Sequence, residues 1–543
     1  MSITVAGAGF AHPGGVELFS NVTFKIGSRE HAALVGENGA GKSTLMRIMA
    51  GELEASEGEV RVDGSALYLS QDIGFAASRT VRELLLDLAP PHLRVAGLRL
   101  LAAERQLAAG KGDGDGGMEL GLAIGPWSEL GGYELEGRWD ASVRRILGIE
   151  LGEAESRRLT QLSGGELKRL AIDVLFASHA DVLLLDEPDN YLDVPAKLWL
   201  EELIRTTKKT VLTISHDREF LCNTSQKVVT LEGYKTWLHG GSYASYAQAR
   251  EARQASLQDE LERWHEEERR LFQYMKIMKQ RAAVNSGNAP RAKAAETRWT
   301  RFADAGPPAP PAPTRPMKVR LRGADSARQV LVAKGVGLHG LIQPFSDVIV
   351  YGERLALIGP NGTGKTHLLQ ILAGARSPSH GSVAIGSRAS VGVFTQVNDR
   401  PDFLGVPVGD IVEQRVGNHE KSRQLLACYG LERSVRQKYD TLSGGQKARL
   451  EILVLEIEGH NFLLLDEPTD NLDVGSAEAL EEALDRFDGT CLSVSHDRSF
   501  LRRQDRYWLL DGDGALFSLS RYEDALASVM SGRVTGNFRA LRS

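Results

Sequence analysis

A strand, a glycine loop and a helix, in that order and twice over, limit what this chain can become. In the first copy the apolar run 32–35 leads into Gly36, Glu37, Asn38, Gly39, Ala40, Gly41, Lys42, Ser43 and Thr44, and helix formers follow (Leu45, Met46, Ile48, Met49). In the second, the run 355–358 leads into Gly359, Pro360, Asn361, Gly362, Thr363, Gly364, Lys365 and Thr366. The glycines let successive backbone N–H groups turn toward one point, and the helix N-terminus adds partial positive charge there. Such a loop cradles phosphate: Lys42 and Lys365 reach the β- and γ-phosphates, and the Ser43 and Thr366 hydroxyls hold Mg²⁺. One match of this kind arises by chance. Two in matching contexts predict an α/β nucleotide-binding domain present twice.

Four further signals repeat in the same order. A glutamine closes a short apolar stretch in each half, Gln71 in LYLSQ and Gln396 in VGVFTQ. A serine–diglycine turn follows, with Ser163, Gly164 and Gly165 in LSGGE and Ser443, Gly444 and Gly445 in LSGGQ. Then comes an apolar run ending in two carboxylates, Asp186–Glu187 and Asp466–Glu467, and last an SHDR sequence with His216 and His496. The serine precedes its aspartate by 23 residues in both halves, and the aspartate precedes its histidine by 30 in both. Self-similarity of this sort marks a duplicated domain. A strand-end aspartate suits Mg²⁺, and the glutamate beyond it can polarise an attacking water. The histidines, at later strand ends, are placed to bond the γ-phosphate. The serine–diglycine turn before a helix is a second anion cradle, and nothing ties it to the nucleotide of its own half.

Composition narrows the class. A chain of 543 residues exceeds one core and predicts two to four domains. It is 42% hydrophobic and 25% charged, and no run approaches the ~20 apolar residues of a membrane-spanning helix. The opening MSITVAGAGFAHPGG lacks a secretory pattern, so a cytoplasmic protein is expected. Cys222, Cys428 and Cys491 lack metal-ligand spacing and read as reduced thiols. A net charge of −6 argues against a uniformly basic nucleic-acid binder but leaves room for a local basic surface.

The repeat is unequal in one place. Gln71 to Ser163 spans 92 residues and Gln396 to Ser443 spans 47, so the first half carries an extra 45 (92 − 47), expected within 84–137. Helical pieces at 81–88 and 98–109 precede a Gly/Asp run at 110–117. From sequence physics alone this is either a tolerated loop insertion or a functional arm. Between the halves, residues 243–281 contain no Pro or Gly. Leu257, Leu261, Trp264, Leu271, Met275 and Met278 fall at three- and four-residue steps, interrupted by Glu268. A 39-residue helix, ~58 Å long, is predicted. A turn at 285–290 and a second helix at 291–302 return Trp299 and Phe302 against the first, and GPPAPPAPTRP (306–316) makes a stiff spacer. Around the turn lie Lys276, Lys279, Arg281, Arg291, Lys293, Arg298 and Arg301, with Glu296 the only acid among them. A solvated charged face is one reading. A basic tip above an acidic stalk fits RNA contact through Lys276, Lys279, Arg281, Arg291, Lys293 and Arg298. The expected divisions are 1–240, a linker at 241–316, 317–530, and a short basic tail at 531–543.

Phosphate loop, glutamine, LSGGE/LSGGQ, LLLDEP and histidine together resemble the ATP-binding cassette (ABC) ATPases over nearly the whole chain. The resemblance implies two tandem α/β cassettes joined by a helical hairpin, and ATP hydrolysis with Mg²⁺. Glu187, Glu467, His216 and His496 would be catalytic, with Gln71 and Gln396 beside Asp186 and Asp466 at the metal. It further implies that the cassettes meet head to tail within a monomer. Lys42 would then share one ATP with Ser443, Gly444 and Gly445, and Lys365 the other with Ser163, Gly164 and Gly165. The charged linker, SHDR-x-FL after each carboxylate pair and the lack of a membrane span resemble the F subfamily, the translation-associated ABC proteins. By that resemblance the partner is the ribosome, reached at its E site, with the linker directed to rRNA, P-site tRNA and the peptidyl-transferase centre. The insertion would be an arm near the L1 stalk. The role would be general translation or displacement of ribosome-targeting antibiotics, with no membrane or DNA partner.

The chain departs from the usual DEPTNHLD, reading DEPDNYLD (Asp189, Tyr191) in one half and DEPTDNLD in the other. Phe10 would stack on adenine in the first cassette, where the second offers Leu338 or His339, and His367 replaces the usual second hydroxyl residue after the loop lysine. The alternative is the energising subunit of an ABC exporter, which would leave the basic-tipped hairpin without a purpose. The iron–sulfur E subfamily does not fit, since the first cysteine is Cys222.

Overall fold

The apolar runs ahead of each motif become the central strands of two sheets. These are seen in a computed structural model, described here for residues 1–543 except 13, 16, 72–78, 110–115, 233–234, 309, 312–316, 396–399 and 543. In the first lobe the order is Ala66–Leu69, Val182–Asp186, Thr210–Ile214, His31–Gly36, Lys227–Glu232, Lys235–His239, parallel until the last antiparallel pair. The second lobe repeats it as Val391–Phe394, Phe462–Asp466, Thr490–Val494, Arg354–Ile358, Arg506–Leu510, Leu516–Leu519, and adds Phe538–Ala540 at the edge. Val182–Asp186 and Thr210–Ile214 are buried at every position. A strand covered on both faces reads as a continuous apolar run, so these strands show no alternation. Each lobe also carries a three-stranded antiparallel sheet, Glu17–Ile26, Ile3–Ala11, Glu57–Val62 and its copy Ile342–Val350, Gln329–Leu338, His380–Ile385. The phosphate loops and the carboxylate pairs lie together at the carboxyl ends of the parallel strands, where open α/β sheets bind ligands.

One expected division is corrected. The residues read as a basic tail fold back: Phe538–Ala540 pairs antiparallel with Leu516–Leu519, and Leu541 is buried. Phe538 meets Phe517 edge-on at 5.7 Å, so two apolar side chains within a basic stretch decide its fate. The second lobe therefore runs past residue 530.

The insertion is two helices, Pro91–Ala108 and Gly116–Glu129, placed between Val81–Asp87 and Gly132–Leu147. The flanking helices have counterparts in Val408–Val416 and His419–Cys428; among the described residues the inserted pair has none. The Gly/Asp run at 110–115 lies outside the described residues. The base of the insertion is core: Leu93, Ala96, Leu100 and Leu101 join Trp127 and Trp139, both fully buried. A Cβ on Gly132 would sit 2.1 Å from Trp127 Cδ2, and one on Gly97 2.2 Å from Leu86 Cδ2. The helices approach so closely there that only glycine fits.

The linker is a helix of 42 residues, Tyr243–Val284, a turn at Ser286–Asn288, and a return helix, Ala289–Asp304. Trp264 stacks on Phe302 with centroids 5.3 Å apart, and Phe272 meets Trp299 at 5.5 Å. Leu271 and Met275 are buried opposite the small Ala292 and Ala295. Most of the proline-rich spacer, at 309 and 312–316, lies outside the described residues.

The insertion's packing is testable. Trp127→Ala should cost about 3–5 kcal/mol, as a large aromatic deleted from a closed core does. Urea unfolding of the full chain measures it, and a loss below about 1 kcal/mol would show a loosely attached insertion.

Candidate nucleotide sites between the two lobes

Gly41 and Gly364 cap the helices Lys42–Met49 and Lys365–Leu372 with φ of 94° and 98°. A Cβ would lie 2.7 Å from Phe19 Cδ1 in one and 2.6 Å from Leu341 Cδ2 in the other. Conformation and space both demand glycine, which leaves the loop N–H groups free to converge. Lys42 Nζ donates to the carbonyls of Gly36 (2.8 Å) and Glu37 (3.0 Å), and Lys365 Nζ to Gly359 (2.9 Å) and Pro360 (2.8 Å). Burial holds both ammonium groups below the ordinary lysine range, partly offset by Glu187 and Glu467 respectively. Phosphate beside a desolvated lysine would favour its charged form. Phe10, expected at the adenine, is half-buried and packs 6.2 Å from Phe19. Leu338, its counterpart, is buried, and His339 is exposed.

Asp186 accepts from Tyr68 Oη (3.1 Å) and from the Ser43 hydroxyl, while its Oδ1 is buried without a partner. An orphaned carboxylate oxygen beside a hydroxyl fits Mg²⁺, a hard cation that takes oxygen ligands. Thr366 bonds Asp466 in the same way. Burial pushes both aspartates above the usual carboxylate range, which a divalent cation would reverse. Gln71, expected at the metal, donates its Nε2 to Glu187 Oε2 at 2.5 Å. Gln396 lies outside the described residues.

Glu187 and Glu467 sit at φ 47° and 49°, a left-handed conformation uncommon for a branch-bearing residue. The N–H of each donates at 2.9 Å to the carbonyl of Ile214 or Val494, which holds the turn. His216 Nε2 lies 3.5 Å from Glu187 Oε1, and His496 Nε2 lies 3.7 Å from Glu467 Oε1. The histidines thus stand beside the carboxylates that the sequence pairs them with. Burial would raise Glu187, but the adjacent His216, the charge of Lys42 and the hydrogen bond from Asn190 bring it below its ordinary value. Burial, Asp470 and Asp466 hold Glu467 well above.

Each serine–diglycine turn starts a helix. Ser163 caps Gly164–Ala177 with Glu166 returning to its N–H at 2.8 Å, and Ser443 caps Gly444–Glu458 with Gln446 returning at 3.0 Å. Both turns face the opposite lobe's phosphate loop. Asn38 Nδ2 donates to Asn471 O (3.2 Å) and Asn361 Nδ2 to Tyr191 O (3.0 Å). A Cβ on Gly445 would lie 2.8 Å from Asn38 Nδ2, and one on Gly165 3.3 Å from Asn361 Nδ2. The lobes meet head to tail, with Lys42's loop against Ser443's turn and Lys365's loop against Ser163's.

Sequence reasoning missed what locks this contact. Arg218 pairs with Glu481 and with Glu478 (3.3 Å); Arg498, 1% exposed, pairs with Glu201 and with Glu219 (3.7 Å). The arginine recurring in SHDR was the available signal. Lys197 Nζ lies 2.9 Å from Asp217 Oδ2 and is surrounded further by Asp189 and Asp497. Its counterpart in the second lobe is Ala477, so no repeat flagged it.

Lys197→Met should therefore cost about 3–5 kcal/mol, because enclosed aspartates lose their cation. Asp189→Thr in the same chain, matching Thr469, should recover part of that loss. Denaturant unfolding of both variants decides it; an unchanged midpoint for Lys197→Met would show the cluster to be solvent-balanced.

The family model described as "ABC transporter" matches this chain at residues 19–190 and again at 343–470. An "Antibiotic resistance protein" of Mycobacteroides abscessus is 40% identical over 93% of this chain and 96% of its own length. The "Tylosin resistance ATP-binding protein TlrC" of Streptomyces fradiae is 34% identical over 90% and 93%. Among solved structures, "Model of ribosome-bound archaeal Pelota and ABCE1" has a TM-score of 0.54 at 20% identity, covering 94% of this chain and 76% of that one. The last supports the tandem fold alone. With both loops, both carboxylate pairs and both serine–diglycine turns gathered between two cassettes, the chain belongs to the ATP-binding cassette ATPases, in their F subfamily, and hydrolyses ATP.

Proposed function

We propose that this ATPase acts on the ribosome and protects it from antibiotics, binding at the E site and directing its hairpin to P-site tRNA and the peptidyl-transferase centre. The observation that carries the reading is the hairpin's tip. Lys276, Arg281, Arg291, Lys293 and Arg298 are all exposed, and among the described residues none makes an ion pair. Lys279, also expected at RNA, is spent on Glu296 at 2.6 Å, so the other five carry the contact. Relatives at 40% and 34% identity that are named for antibiotic resistance favour protection over general translation.

In this reading Lys42 and Lys365 hold the β- and γ-phosphates, and the turns at Ser443 and Ser163 close on them from the other lobe. Ser43, Asp186 and Gln71 at one site and Thr366, Asp466 and Gln396 at the other would hold Mg²⁺, which would supply positive charge to offset that of the phosphates. Glu187 and Glu467 orient the attacking water and take its proton, and His216 and His496 bond the γ-phosphate. Closure reaches the hairpin through its root. There Tyr243 stacks on Tyr246 at 5.3 Å, Tyr246 Oη accepts from Thr230 at 3.0 Å, and Arg250 pairs with Glu232 at 2.6 Å. The first turns of the long helix are thus fixed to the first lobe beside its nucleotide.

The exporter alternative predicts membrane association; no described helix is long and apolar enough to cross a membrane. Glu187→Gln/Glu467→Gln protein should lose nearly all hydrolysis and accumulate on ribosomes in co-sedimentation. Charge reversal at Arg281, Arg291 and Lys293 should weaken that binding most at low salt and flatten its salt dependence, while ATPase activity of the free protein holds. Cells with and without the gene, compared on a drug panel that includes tylosin, test protection directly. Trapped protein that tracks with membranes would transfer the case to the exporter.

A further inference from the structure

The two lobes differ at the third residue after each catalytic glutamate. In the first it is Asn190, whose Nδ2 donates to Glu187 Oε2 at 2.6 Å, and in the second it is Asp470. The backbone is otherwise the same. Glu187 and Glu467 share the left-handed turn, and the N–H groups of Asn190 and Asp470 donate to the two glutamate carbonyls at 3.4 Å and 3.1 Å. The chain therefore delivers this position to the same place twice. An amide there has N–H to give, and a carboxylate has only acceptors.

Asp470 is exposed to the space between the lobes, and its favourable charge partner is Lys197 of the opposite lobe. Among the described residues, the hydrogen bond to Glu467's carboxylate is from the backbone N–H of His496 at 3.1 Å. The exchange has a companion: Asp189 and Lys197 stand where the second lobe has Thr469 and Ala477. Lys197, paired with Asp217 at 2.9 Å, draws Asp470 down across the interface only in part, and burial still holds Asp470 up at about 6.

We infer that Asn190 is a positioning residue that fixes Glu187 for water activation, that Asp470 withholds this support from Glu467, and that the two sites consequently turn over unequally. The Lys42 site hydrolyses faster, and the Lys365 site holds its ATP uncleaved for longer. This rests on Glu187 and Glu467 being the water-orienting groups.

Single-site variants test it. Glu187→Gln, which reads the second site, should lose at least about tenfold more kcat than Glu467→Gln, which reads the first, within the range positioned bases contribute. Adding Asp470→Asn to Glu187→Gln should raise kcat about fivefold or more with the KM for ATP unchanged, and adding Asn190→Asp to Glu467→Gln should lower it similarly. An unaltered KM separates positioning from misfolding. In the unmodified protein, rapid filtration after a single turnover should leave about one uncleaved ATP per chain. Equal kcat in the two single variants, no gain from Asp470→Asn, or two ADP per chain would overturn the inference. Wild-type turnover in Glu187→Gln/Glu467→Gln would instead remove the glutamate assignment on which it stands.

Discussion

Two arginines, Arg218 and Arg498, cross from one lobe to the other and end on Glu481 and Glu201. Burying such pairs contributes little net stability, since desolvation consumes most of the Coulombic gain. Their value is register. A lobe rotated or shifted from this docking would strand Arg498, 1% exposed, without its carboxylate, and an uncompensated buried charge is far costlier than a lost contact. The docking so selected is the one that brings each serine–diglycine helix end to the opposite phosphate loop. Both nucleotide sites therefore depend on residues that touch neither nucleotide.

The same docking disciplines the hairpin. A helix of 42 residues amplifies any rotation at its root, where, after Gly240, Gly241 and Ser242, aromatic stacking and the Arg250–Glu232 pair hold its first turns to the first lobe. Along the stalk the stacking of Trp264 on Phe302 and the contact of Phe272 with Trp299 keep the return helix in one register.

Much of this was legible in the sequence, for physical reasons that also explain the failures. Buried parallel strands announce themselves as apolar runs, so 182–186 and 462–466 could be read directly. The linker stripe could be read because Leu257 through Met278 keep a helical period, although the helix runs on to Val284. The antiparallel sheets escaped because Ile3–Ala11 is broken by a bulge at Gly7, φ 60°, which spoils the alternation that marks a half-buried strand. The last strand escaped because its arginines outweighed Phe538 and Leu541 in any reading by composition. At the sites, motif residues were found because they recur, whereas Lys197 and Asn190 act precisely where the halves cease to match.

That last point bears on how a duplicated ATPase diverges. Surface positions can drift independently, but residues at the seam between two copies meet a partner from the other half. A carboxylate introduced at 470 brings a charge to that seam, and it is tolerated only if the facing lobe answers it. Lys197, whose direct partner is Asp217 at 2.9 Å, answers it only in part, and the same cation faces Asp189, where Thr469 stands in the other copy. Once such a cluster exists, reverting any one member exposes the others, so the asymmetry is held in place by electrostatics. A seam of this kind turns two equivalent sites into two distinguishable ones without altering a loop, a strand or a metal ligand.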